Sequence, residues 1–206
     1  GYLHATNGSN GDELWSFVPK ELLSNFTRLY FDPASKYKQY GIDGNVIPVV
    51  KDANNNGIVD GSDFVYLIFG MRRGGTTYFA LDVTNKNAPE LLWKANFPEL
   101  GESWSTPVVT RMDINASGLN AEKAVVVLGG GYDTVHDTTG HPTADDAVGA
   151  GIHILDLVSG ARLWRAGQDS NADLTLDVNG RAMNRAIPNE VRVIDLNGDG
   201  FADRMY

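Results

Sequence analysis

Apolar residues in this chain gather into short runs rich in β-branched and aromatic side chains, and polar turns separate the runs. Residues 46–50, 64–69, 108–111, 123–128 and 191–194 read as strands on that basis. A second pattern ends in tryptophan. His4-Ala-Thr-Asn7 leads to Leu14-Trp15, Phe79-Ala-Leu-Asp82 leads to Leu92-Trp93, and His153-Ile-Leu-Asp156 leads to Leu163-Trp164. Each reads as a strand, an Asp or Asn turn, and a second strand closing on Leu-Trp, a hairpin by its turn residues.

The two patterns interlock. Their order is strand, Asp-rich loop, strand, Gly-rich connection, strand, Asp turn, strand with Leu-Trp. That order predicts an all-β chain of four-stranded blades, with periodic Gly and aromatic positions as in a β-propeller. Residues 46–95 make one blade and 105–166 another. Residues 1–18 read as the end of an earlier blade and 189–206 as the start of a later one, so the expectation is a fragment whose ring closes with other sequence. The Trp pattern resembles the tryptophan-docking repeat of quinoprotein-like β-propellers, in which the indole packs between blades. Three unrelated buried aromatics are the alternative. Two segments break the rhythm. Residues 20–40 hold one or two helical turns near Glu21–Phe26 within a long connection, and residues 129–151 form a Gly/Asp/Thr-rich loop.

The Asp-rich loops carry the candidate chemistry. Asp195, Asn197, Asp199, the Phe201 carbonyl and Asp203 fall at loop positions 1, 3, 5, 7 and 9, with Gly200 at position 6. Asp52, Asn54, Asn56, the Ile58 carbonyl and Asp60 repeat the spacing around Gly57. Alternate oxygens at such a spacing converge on a hard cation, and Gly permits the sharp turn, so both loops are expected to bind Ca²⁺. A polar Asx turn is the alternative. The second loop has three carboxylates and the first two, which predicts tighter binding by the second. Position 12 holds Asp63 in one and Tyr206 in the other, and strands rather than helices flank both. Asp113-Ile-Asn115-Ala-Ser117-Gly118 reads as a degenerate third copy, a loop without the position-9 carboxylate.

Composition narrows the partners. The 206 residues carry a net charge of -9, which disfavours nucleic acid and anionic membrane surfaces. There is no cysteine, hence no disulfide, and no apolar run is long enough to span a bilayer as a helix. No signal peptide is visible. Other candidates are weaker. His136 and His141, with Asp133, Asp137, Asp145 and Asp146, could hold a transition metal, but their spacing fits no motif and a solvated polar loop explains them. Gly70-Met-Arg72-Arg73-Gly74-Gly75 reads as a hairpin turn, with an anion site as its alternative. Gly129-Gly130-Gly131 lacks the Lys-Ser/Thr of a phosphate loop. Ser103, Ser105 and Ser159 lack a nucleophile-elbow setting. No catalytic or organic-cofactor residue is assigned.

Taken in order, several phrases resemble the C-terminal domain of the PilY/PilC-type proteins of type IV pili. They are Gly1-Tyr-Leu-His-Ala-Thr-Asn7, Asp12-Glu-Leu-Trp-Ser-Phe-Val-Pro19, Arg73 to Thr84, Ser103-Trp-Ser-Thr-Pro107, Leu128-Gly-Gly-Gly-Tyr132 and Asp195 to Tyr206. The resemblance covers nearly the whole chain. It implies that residues 1–206 belong to a single C-terminal β-propeller domain of a longer exported protein at the pilus tip or outer membrane. It further implies a non-enzymatic, calcium-binding role in pilus assembly, extension and retraction, twitching motility and adhesion. Its partners would be pilus subunits (minor pilins) and a host or abiotic surface. The alternatives are a quinone-dependent dehydrogenase, against which the missing cysteines speak, and a generic assembly scaffold.

Overall fold

In the computed structural model, residues 1–36, 38–116, 119–138, 144–175 and 183–206 are described. Four antiparallel units follow one another. Strands β1 (Leu3–Thr6) and β2 (Glu13–Phe17) form a hairpin. Strands β3 (Val46–Lys51), β4 (Phe64–Gly70), β5 (Tyr78–Asp82) and β6 (Glu90–Ala95) form a four-stranded meander in that order. Strands β7 (Val108–Ala116), β8 (Leu119–Gly129), β9 (Gly151–Asp156) and β10 (Arg162–Gly167) form the next. Strands β12 (Val193–Ile194) and β13 (Arg204–Met205) begin a fourth. These are the two blades and two part-blades expected, and the sheets do not close into a ring. Pro48 lies on β3, an edge strand that pairs only with β4, so its missing N–H leaves no gap in a ladder.

Alternation along each strand feeds a core on both faces of a blade. Tyr66, Ile68, Tyr78, Ala80 and Trp93 from the first blade pack against Val126, Leu128, Leu155 and Leu157 of the second. The opposite face of the first blade, with Phe69, Phe79 and Leu81, covers Trp15 and Phe17 of the β1–β2 hairpin. Met112, Ile114, Val125, Val127 and Ile154 of the second blade cover Val193 and Met205. Each fully buried side chain of this kind contributes about 1.5–3 kcal/mol, so the inter-blade faces supply the main stabilisation.

The Leu-Trp phrase encodes a bulge. In all three hairpins the register slips at that pair. Ala5 faces Trp15 while Thr6 faces Glu13, Ala80 faces Trp93 while Leu81 faces Leu91, and Trp164 faces Ile154 while Arg162 faces Leu155. Leu14, Leu92 and Leu163 are therefore the unpaired residues. A regular strand sends neighbours to opposite faces, whereas a bulge lets consecutive side chains serve one face. Leu92 and Trp93 pack in one core, and Leu163 and Trp164 in another.

The preceding turn accepts the indole of the earlier blade. Asn7, Asp82 and Asp156 cap their own turns, accepting N–H bonds from Ser9, Thr84, and Val158 with Ser159. Trp15 Nε1 donates to the Lys86 carbonyl in the next turn, and Trp93 Nε1 to the Leu157 carbonyl in the one after, both at 2.9 Å. Gly160 (φ 66°) lies against Trp93, where an added Cβ would sit 2.6 Å from the ring.

Three expectations are corrected. Asp113 and Asn115 are not in a loop. They lie within β7, with Asp113 paired to Glu122, because Met112 and Ile114 are buried and keep the strand alternating through them. Ser117 and Gly118 lie outside the described residues. The second blade gains a fifth strand, β11 (Leu174–Thr175), parallel to β10. Arg165 organises that return, pairing with Asp169 at 2.5 Å while its N–H donates to Asp173. In the 20–40 connection the helical turns overlap the expected Glu21–Phe26 but extend past it, as a 3-10 turn at Lys20–Leu22 and helix α1 at Asn25–Phe31.

Two predictions follow from the packing. Gly160→Val forces a β-branched residue into the left-handed region and against the indole, and should destabilise the protein by about 2–4 kcal/mol in denaturant unfolding. His153 is buried and stacked on Phe97 at 5.9 Å. Burial, aided by the charges of Arg162 and Arg165, pushes it down to about 4. Its native value lies below that of the unfolded chain, so the unfolded state takes up the proton first. Stability from this group is complete above about pH 6.5 and falls as pH drops toward 4, by up to about 3 kcal/mol. His153→Gln should flatten that slope when unfolding is measured across this range.

Candidate functional site

Both Asp-rich loops join the first two strands of their units, between β3 and β4 and between β12 and β13. Their hydrogen bonds follow one scheme. The position-1 carboxylate accepts the N–H of the position-6 glycine at 2.8 Å in each, Asp52 from Gly57 and Asp195 from Gly200. The position-3 amide oxygen accepts the N–H of position 5, Asn54 from Asn56 and Asn197 from Asp199. The position-5 oxygen accepts the N–H of position 7, Asn56 from Ile58 and Asp199 from Phe201. Gly57 and Gly200 take φ of 75° and 90°, which a side chain would oppose.

The loops differ in their closure. In the second, Asp203 at position 9 accepts the Leu196 N–H at 2.7 Å. In the first, Asp63 does this, accepting from Ala53 at 2.8 Å and Asp60 at 3.0 Å. Position 9, Asp60, is thereby left to the amides of Asn54 and Asn56, which bring positions 3, 5 and 9 together. N–H donation holds two carboxyls below the usual range. For Asp195 the donors are Gly200 and Gly198, and for Asp63 they are Ala53 and Asp60. Both groups stay ionised through neutral pH.

The second loop is seated against a blade. Arg111 of β7 lies 4.3 Å over the Phe201 ring, and the Ala202 N–H donates to the Arg111 carbonyl. The sequence pattern marked Phe201 for its carbonyl and gave no sign of this contact. Ile58, its counterpart, is exposed. Val59 lies on an open cleft with Leu14, Trp15 and Leu67.

Among the described residues, no three His, Cys, Asp or Glu side chains are grouped to hold a metal ion. The loops offer a mixed set instead, in which Asn amides and a main-chain carbonyl join the carboxylates. Every donor is oxygen, which fits a hard cation and not a thiolate- or imidazole-seeking metal.

The described acids of the 129–151 loop are engaged by groups inside and outside the loop, Asp145 by the Asn184 amide. Asp133 accepts from the N–H groups of Val135, Ala147 and Val148. Asp146 accepts from Ala186 N–H and lies 3.0 Å from His136. Asp137 pairs with Arg73 and accepts from Tyr132. His141 lies outside the described residues.

No family model matches the chain. It is 32% identical, over 216 residues that include all of it, to the type IV pilus biogenesis factor PilY1 of Pseudomonas aeruginosa strains PAO1 and PAK. Against PilY1 of strain UCBPP-PA14 the identity is 30% over 212 residues. The chain spans about 15% of the length of these relatives. In structure it is similar to the crystal structure of the Pseudomonas aeruginosa PilY1 C-terminal domain, with a TM-score of 0.59 and 28% identity, over all of this chain and 34% of that one. Agreement in sequence and in fold along its full length shows that the chain belongs to the PilY1 family and corresponds to part of its C-terminal domain.

Proposed function

We propose that this chain is a calcium-stabilised, non-enzymatic part of a type IV pilus biogenesis factor at the bacterial surface. The observation that carries the reading is the shared hydrogen-bond scheme of the two Asp-rich hairpins, which orients the oxygens of loop positions 1, 3 and 5 alike at the same place in two units. The relatives' role in pilus biogenesis supplies the setting.

Asp52, Asn54, Asn56, the Ile58 carbonyl and Asp60 would hold one Ca²⁺. Asp195, Asn197, Asp199, the Phe201 carbonyl and Asp203 would hold another. Bound calcium would supply positive charge to carboxylates that otherwise repel at close range. The chain's own part is preorganisation, since glycine N–H groups already aim the position-1 carboxylates. Arg111 and Phe201 tie the second hairpin to the neighbouring blade, so order in that loop is passed to that sheet. The first loop borders an open surface cleft, so its ordering would alter a surface that minor pilins could meet. A partner that prefers the ordered loop would then bind more tightly in calcium. Support for pilus assembly, extension and retraction balance, twitching and adhesion belongs to this same reading.

Calorimetric titration of the intact natural protein with CaCl₂ tests it. Asp195→Ala should abolish the tighter binding event and Asp52→Ala the weaker, each with a loss of thermal stabilisation by calcium. Heats and melting temperatures that match the wild type in both variants would remove the assignment. Piliation and twitching scored in cells carrying Asp195→Ala link the site to the pilus, the expected result being a loss of both.

A further inference from the structure

The connections at the ends of the blades away from the Asp-rich hairpins bring an arginine onto an indole. Arg72 sits in the turn between β4 and β5, where Gly74 N–H bonds to Met71 and Gly75 N–H to Arg72. Its guanidinium lies 4.4 Å from the centroid of Trp104, in the connection between β6 and β7. The indole is also held by its Nε1 donating to Glu102 at 3.0 Å, with the Tyr132 ring 5.4 Å away and the Arg73 guanidinium 5.4 Å from its centroid. Arg72 N–H donates to the Ser103 carbonyl, and its φ is 49°, a left-handed conformation that a residue other than Gly rarely adopts. Backbone strain of this kind persists where surrounding contacts impose it, and gathers at binding sites.

Charge makes the position distinctive. The chain carries -9, yet among the described residues no acid pairs with Arg72. Its neighbour Arg73 is taken by Asp137 and Glu102. Arg192, across the cleft, is paired with Glu190 at 2.6 Å. Stacking occupies only the face of a guanidinium, so its edge N–H groups stay available for a bidentate acceptor.

We propose that the cleft lined by Asn45, Arg72, Trp104, Thr106, Asn189 and the Arg192–Glu190 pair, in which Arg192 neutralises the one acid, receives a carboxylate presented by a peptide chain at Arg72. The cleft has a volume of about 600 Å³, more than one inorganic anion fills. Asn45 Nδ2 donates to Thr106 Oγ1, which leaves that hydroxyl's own proton free to donate. The Asn45 and Asn189 amides offer donors and acceptors suited to a peptide main chain beside the acid. Asn45 and Thr106 stand just before β3 and β7, and Arg192 just before β12, so three successive units contribute from the starts of their first strands. The site needs neither Asp-rich loop, and stands or falls apart from calcium binding.

The test uses the intact natural protein at fixed calcium, with binding followed by Trp fluorescence and calorimetry. The probes are acetyl-tetraalanine with a free C terminus, the amide acetyl-Ala-Ala-Glu-Ala-NH₂, acetyl-tetraalanine amide and inorganic phosphate. Binding by either or both acid-bearing peptides and not by the neutral amide is expected, and their relative affinity tells a C-terminal from a side-chain carboxylate. Arg72→Asn should weaken that binding about tenfold or more while leaving the melting temperature unchanged or higher, because Asn tolerates positive φ. Trp104→Leu, which keeps the charge but removes its platform, should weaken it severalfold and serves if the first variant does not fold. Equal binding of the neutral amide, tighter binding of phosphate than of the peptides, no binding of any probe, or unchanged affinity in the Arg72 and Trp104 variants would each overturn the proposal.

Discussion

The bond from a tryptophan indole to a carbonyl in the following blade is the constraint on which this architecture depends. A sheet of four strands has two apolar faces and no means of setting how the next sheet lies on it. Trp15 and Trp93 each fill the gap with a large ring and then fix the neighbour by one directed hydrogen bond, at Lys86 and at Leu157. The hydrophobic area gives the energy and the N–H gives the register. Gly160 leaves the space that the second indole needs.

With blade spacing set this way, the two ends of each sheet are free for different tasks. One end carries the Asp-rich hairpins between the first and second strands of each unit. The other carries the connections in which Arg72, Arg73, Trp104, Tyr132 and Asp137 form a web of stacking and charge. Neither cluster lies within a strand. Both rely on strands to hold loop termini at fixed separations, which short polar segments cannot do for themselves.

Strand positions, blade order and the two oxygen-bearing loops were all legible, because each depends on local chemistry. Period-two alternation marks a strand wherever it folds, and Gly at position 6 marks a sharp turn. The Leu-Trp repeat was legible as a motif but not as a bulge. Adjacent apolar residues facing one core show up only when the partner strand is seen to skip one of them. The third Asp-rich phrase misled for a related reason. Asp113 and Asn115 match a loop by identity, yet buried Met112 and Ile114 on alternate positions hold the segment in the ladder. Burial of those two residues outweighs the turn preference of Asp113, which stays exposed.

What the sequence determined alone was the set of elements and the donor spacing in the Asp52 and Asp195 loops, since both are properties of residues a few positions apart. What the tertiary structure decided was which distant groups meet. Arg111 covers Phe201, and Arg72 rests on Trp104 without an ion pair to any acid among the described residues. Those contacts join residues from different units, and their geometry comes from how one sheet packs on the next, a quantity that no local run of side chains carries.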